Sequence, residues 1–105
     1  EITAEWRNLY GVIVYAVNAT LENGGSQPLR AIKVRVDLLD RDGKVAASGQ
    51  GYNLGAEGLL DQPDTALESL TPIAPGGRDP MRLTIDKSEI ARPFVTTRLT
   101  IVEAR

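Results

Sequence analysis

The sequence predicts an all-β domain, an immunoglobulin-like antiparallel β-sandwich of about seven strands. Three observations predict it. Apolar side chains recur at every second position along several stretches of the chain, which is the period of a strand with one buried face. Val, Ile and Thr supply 23 of the 105 residues, and these types suit a pleated, half-buried surface. Gly and Pro supply 16 more, many of them set between the alternating stretches, where they mark turns. A small barrel is the second architecture these features admit.

The elements follow in order. Ile2 to Trp6 reads as a short first strand. Leu9 to Glu22 is the first strong segment: Ile13, Tyr15, Val17, Ala19 and Leu21 share one face, and Val12, Val14, Ala16, Asn18, Thr20 and Glu22 share the other. The second face is apolar at its start and polar at its end, so burial on both sides is expected early and on one side later. Asn23-Gly24-Gly25-Ser26 ends the strand, because glycine adopts positive φ freely. Ile32, Val34, Val36 and Leu38 then alternate with Lys33, Arg35 and Asp37, the cleanest strand of the chain. Asp42-Gly43 leads into Lys44 to Ser48, a short-range hairpin signal, and the continuation through Gly51 to Tyr52 suggests a bulged or edge strand.

Asn53 to Pro80 lacks alternation. A structureless connection of this length is unusual in a small domain, so local structure is expected inside it. Thr65-Ala66-Leu67-Glu68 has the spacing of a capping box, which predicts one short helix over Thr65 to Leu70, stopped by Pro72. Pro75-Gly76-Gly77 predicts a turn. Met81 to Asp86 alternates again, with Met81, Leu83 and Ile85 on one face. Lys87 to Pro93 is a charged connection, and Phe94 to Glu103 is the last strand, with Val95, Thr97, Leu99 and Ile101 toward the core. No internal repeat or second unit is visible, so residues 1–105 read as one sandwich domain.

Composition narrows the function. Twelve Lys and Arg against fourteen Asp and Glu give a net charge of -2, which argues against a nucleic-acid or anionic-membrane binder. The chain has no Cys and no His, so disulfides, thiolate chemistry, the commonest general base and the commonest transition-metal ligand are all missing. The longest apolar stretch, Gly11 to Ala19, is too short to span a bilayer, so no membrane insertion is expected. Residue 1 is Glu, which reads as a fragment or a processed form. Asn18-Ala19-Thr20 has the form of a glycosylation sequon, but it falls inside a strand.

The remaining chemical candidates are weak. Asp37, Asp40 and Asp42 cluster like calcium ligands, but the twelfth position of an EF-hand loop begun at Asp37 is Ser48, so a turn held by Asp side chains is preferred. Asp61, Asp64 and Glu68 supply carboxylates for a small hydrolase, yet they lie in an apparent surface loop. Ser48 and Ser69 have no His partner, and Gly24-Gly25 and Gly76-Gly77 lack phosphate-loop spacing. Trp6, Tyr10, Tyr15 and Tyr52 are the rings available for stacking a sugar, and Trp6 and Tyr52 would carry such a platform if exposed. Leu59, Leu60, Leu67 and Leu70 are more apolar than a free loop needs. They either close one end of the sandwich or contact a partner.

Val36-Asp37-Leu38-Leu39-Asp40 followed by Asp42-Gly43-Lys44-Val45 resembles the FxLYD domain, a bacterial and archaeal immunoglobulin-like module, with Val36 at its Phe position and Leu39 at its Tyr position. Val17 to Ser26, Pro28 to Val34, and Ile73 to Gly77 with Pro80 to Leu83 are similar to its neighbouring strands and its Pro-Gly turn. The resemblance runs from Val17 to Ile85. It implies no catalytic residues and an extracytoplasmic module, periplasmic or on the cell envelope, of a larger bacterial protein. The expected function is therefore a non-catalytic interaction or structural module with no cofactor. Its partner would be a protein or another domain of the same chain, met through the long loop, an exposed sheet edge, or Trp6 and Tyr52. A carbohydrate-binding module is the first alternative and a small hydrolase the second.

Overall fold

The structure is a computed structural model that describes residues 2–105. Among these residues six strands form: β1 (Ile2–Leu9), β2 (Val12–Glu22), β3 (Ile32–Leu39), β4 (Val45–Tyr52), β5 (Arg78–Asp86) and β6 (Thr96–Ala104). They build two antiparallel sheets of three, ordered β1-β2-β5 and β4-β3-β6, packed face to face. This is the A-B-E half of an immunoglobulin sandwich over a C′-C-F half, with no described strand beside β6 in the place of G.

Two-residue alternation sets the core as the sequence predicted. Val17, Ala19 and Leu21 of β2 meet Val34, Val36 and Leu38 of β3, with Met81 and Ile85 of β5 beside them. Leu38, Val34, Val36 and Val17 have no exposed surface. Burying such side chains contributes roughly 1.5–3 kcal/mol each.

The Asp-Gly hairpin forms as expected. Gly43 takes φ 80°, and its N–H donates to the Asp40 carbonyl at 3.0 Å. The Asp40 carboxylate accepts from the N–H groups of Asp42 and Lys44 at 2.9 and 3.0 Å, so this Asp organises the turn. The glycines of β4 have a packing reason. A Cβ on Gly49 would lie 3.2 Å from Ile85 Cγ1 and 3.3 Å from Leu83 Cδ1, because β4 runs close beneath β5. These glycines let the two sheets close tightly on that side.

Four expectations need correction. The segment from Leu9 to Glu22 is not one strand. Tyr10 and Gly11, at φ 53° and 88°, form a two-residue hairpin turn that joins β1 to β2. Burial on both sides early in β2 holds from Val14 to Val17 but not at Val12 and Ile13, which are exposed because β5 reaches only to Val14 and the hairpin tip projects past it. From Asn18 to Glu22 one face is solvated, as expected. The capping box does not form: Thr65 donates its hydroxyl to the Gln62 carbonyl, and a single 3-10 turn, Leu67–Ser69, follows Ala66 with no side-chain cap. The local structure expected inside Asn53 to Pro80 is present, chiefly as a longer 3-10 segment at Leu54–Leu60. Val95 lies outside β6 and is 69% exposed.

Candidate functional site on the open side of the sandwich

The two lateral sides of the sandwich differ. On one side β4 and β5 approach through Gly49 and Gly51, and the 3-10 segment Leu54–Leu60 covers the seam. An isolated bridge from Asn53 to Met81 ties them together. Asn53 is fully buried; its Nδ2 donates to Asp79 Oδ2 at 2.8 Å and its Oδ1 accepts from Ile32 N at 2.8 Å. Asn23 does similar work at the neighbouring end. Its Nδ2 donates to the Gln27 and Ile73 carbonyls, and its Oδ1 accepts from Gly25 N. Sequence reasoning placed Asn23 in a turn and Asn53 at the start of the long connection, and gave neither a buried role, because Ile73 and Asp79 are remote in the chain.

The long connection folds back here. Ala31, Tyr52, Ala56 and Leu59 form a second small core, with Leu67 and Leu70 packed against it. Arg30 reaches the Leu67, Glu68 and Leu70 carbonyls and pins the loop. Tyr52 and Leu59 are therefore buried, Leu67 and Leu70 are half-buried, and Leu60 alone of the four leucines is exposed, at 54%. Tyr52 cannot share a flat exposed platform with Trp6. Asp61, Asp64 and Glu68 lie in solvent along this connection.

The other side, between β1 and β6, is open. Every residue of β1 is exposed. Ile2, Ala4 and Trp6 face inward, since they pair with Ala19, Val17 and Tyr15 on the core face of β2. Ile101, opposite the core residue Val34, is likewise inward-facing and half exposed. A groove of about 680 Å³ opens between β1 and the β5–β6 connection, lined by Trp6 and Tyr15 on one side and Ile90, Pro93 and Phe94 on the other. Its floor is an aromatic cluster. Tyr15 meets Phe94 edge to face at 4.9 Å between ring centres, and Trp6 leans on Tyr15 at 5.1 Å. Trp6 remains 48% exposed. The pairing of Trp6 with Tyr15 becomes legible once the Tyr10-Gly11 turn is recognised.

Two of the sequence's aspartates, Asp37 and Asp40, are engaged in structure. Asp37, nearly buried on the outer face of β3, accepts from Ser48 Oγ at 2.8 Å and from Arg98 at 2.9 Å, and Arg35 lies at 3.3 Å. Burial pushes its carboxyl upward, but the Arg98 and Ser48 hydrogen bonds and the Arg35 charge outweigh this and hold it below the ordinary range. Arg92 donates to Asp40 at 2.7 Å and lowers that carboxyl too, together with the Lys44 and Asp42 amides. The Asp37 and Asp40 carboxylates thus serve separate structural contacts, and Asp42 joins the turn through its backbone N–H. Among the described residues no group of three or more Asp or Glu is placed to hold a metal ion, and no helix is long and apolar enough to cross a membrane. The chain matches no family model, no curated protein and no solved structure.

Proposed function

We propose that this domain is a non-catalytic interaction module that meets a protein partner along the open side of its sandwich. The carrying observation is the asymmetry of the two sides: one is sealed by glycine contacts and a folded-back loop, and the other leaves an aromatic groove and a free eight-residue strand edge. An exposed strand edge offers unpaired N–H and C=O groups to a partner, and an apolar groove beside it supplies side-chain specificity. The FxLYD-like motifs of β3 and its turn support placing the module in a larger extracytoplasmic protein of bacterial type. The burial of Leu59 and the loop's attachment to Arg30 favour structural closure over partner contact for the long connection.

Affinity capture from extract with two variants tests this reading. Trp6→Arg should abolish recovery of the partner, and Leu60→Arg should leave it intact. The reverse pattern would move the contact to the long loop. Retention on a glycan array that Trp6→Arg abolishes would instead favour the carbohydrate-binding alternative.

A further inference from the structure

We infer that the occupant of the β1 edge is a second copy of this chain, paired antiparallel about a twofold axis at Trp6. The inference rests on the reading of the open side as a docking surface and names its partner.

The argument is one of register and charge. β1 pairs with β2 from Ile2 to Leu9 with no bulge, so its faces alternate strictly: Thr3, Glu5, Arg7 and Leu9 outward, Ile2, Ala4, Trp6 and Asn8 inward. Residues facing each other across an antiparallel pair share a face. Two copies of β1 related by a twofold can therefore centre only on a residue. Centring on Glu5 sets Glu5 against Glu5. Centring on Arg7 sets Arg7 against Arg7. Centring on Ala4 or Asn8 leaves both charges without a charged partner among the described residues. Centring on Trp6 alone sets Glu5 of each copy against Arg7 of the other, forming two opposite-charge pairs by symmetry.

The same register serves the apolar groups. Trp6 meets Trp6 of the second copy on the inward face, where it is now 48% exposed. Pairing runs from Thr3 to Leu9, about 24 Å of strand at roughly 3.4 Å per residue. Just beyond it, the fully exposed Tyr10 of the hairpin turn comes beside Ile2 of the second copy. Glu5 and Arg7 are free to make these pairs: their bridge within one copy joins two side chains 60% and 55% exposed, and such exposed pairs are weak.

β6 does not offer this fit. Lys33 pairs with Glu103 and Val34 with Ile101, so Val102 is an inserted residue, and face-matched self-pairing stops short of it. Within Thr96 to Ile101 the only charge is Arg98, which has no acidic residue to face.

Sedimentation equilibrium of the 105-residue domain, with loading up to about 1 mM, tests the inference. The wild type should dimerise. Glu5→Arg and Arg7→Glu, each verified as folded by circular dichroism, should each raise the dimer dissociation constant by about tenfold or more, since each creates two like-charge pairs. An equimolar mixture of the two variants should dimerise like the wild type, because every facing pair is then opposite in sign. A double variant, Glu5→Arg with Arg7→Glu, should also recover the dimer. A wild type that stays monomeric at all loadings overturns the inference. So does a dimer indifferent to the single swaps, and so does a mixture that fails to recover. If the wild type is monomeric yet Trp6→Arg still abolishes partner capture, the dimer fails and the reading of the open side survives. If neither occurs, both fail.

Discussion

Replacing Asn53 by Ala gives the sharpest test of what holds the closed side together. The side chain has no exposed surface. Its Oδ1 accepts the Ile32 N–H at 2.8 Å, and its Nδ2 donates to Asp79 Oδ2 at 2.8 Å. This orientation follows from chemistry, since only the amide oxygen can face an N–H and only the amide nitrogen can face a carboxylate. Removing the side chain leaves the Ile32 N–H buried without an acceptor, which costs about 1–3 kcal/mol. It also deletes a charge-assisted bond worth about 1.5–3 kcal/mol, part of which Asp79 keeps through its bond from Gly55 N at 2.9 Å. The expected loss is about 2–4 kcal/mol, a large share of the roughly 5–15 kcal/mol typical of a domain. Urea unfolding followed by Trp6 emission measures it. Asn53→Asp separates the two contributions. It keeps an acceptor for Ile32 but sets a second carboxylate against Asp79, so it should also destabilise at neutral pH, and part of that penalty should vanish in acid as one carboxyl takes up a proton. A change below about 0.5 kcal/mol in Asn53→Ala, the scale of an ordinary surface substitution, would refute the reasoning.

Two further outcomes follow from the same geometry. Gly49→Val pushes side-chain atoms into Ile85 and Leu83, already 3.2 and 3.3 Å from a Cβ at this position, and should cost about 1–3 kcal/mol by thermal or urea unfolding. Asp37 carries a carboxyl held below its ordinary 3.8, so it stabilises the fold above that pH and loses this contribution as pH falls through its folded value. Asp37→Asn should therefore flatten the acid limb of a stability-against-pH curve below about pH 4, and an unchanged limb would refute the assignment.

Local chemistry was legible in the sequence where partners lie close in the chain. The β3–β4 hairpin announced itself through Asp42-Gly43, and the alternation of Ile32 to Leu38 gave the correct faces. The Tyr10-Gly11 turn was hidden because Tyr rarely takes positive φ, and its neighbours on both sides are apolar. The buried roles of Asn23 and Asn53 were invisible for another reason. Asn23 reaches Ile73, 50 residues on, and Asn53 reaches Asp79, 26 residues on, and no local pattern encodes such distances. The parity of β6 was right, but the depth of Ile101 was overestimated. Alternation says which face a residue shares, and a second layer must still arrive to cover it.

How the four sheet edges are managed bears most directly on function. A free edge invites pairing, and proteins blunt it with prolines, bulges, charges or cover. β5 carries Pro80 and the flanking Arg78 and Arg82, with the Leu54–Leu60 segment beside it. β4 ends in the buried bridge from Asn53 to Met81. β6 carries the Val102 bulge and a ladder arginine, Arg98, turned to Asp37. β1 has none of these devices: it has no proline, no bulge and no covering segment among the described residues, and its two charges are of opposite sign on the same face. Like charges at positions 5 and 7 would repel a second copy in all three registers that bring them face to face. One acid and one base two residues apart repel it in two of them and attract it in one, so on the proposed dimer this edge would specify a single pairing.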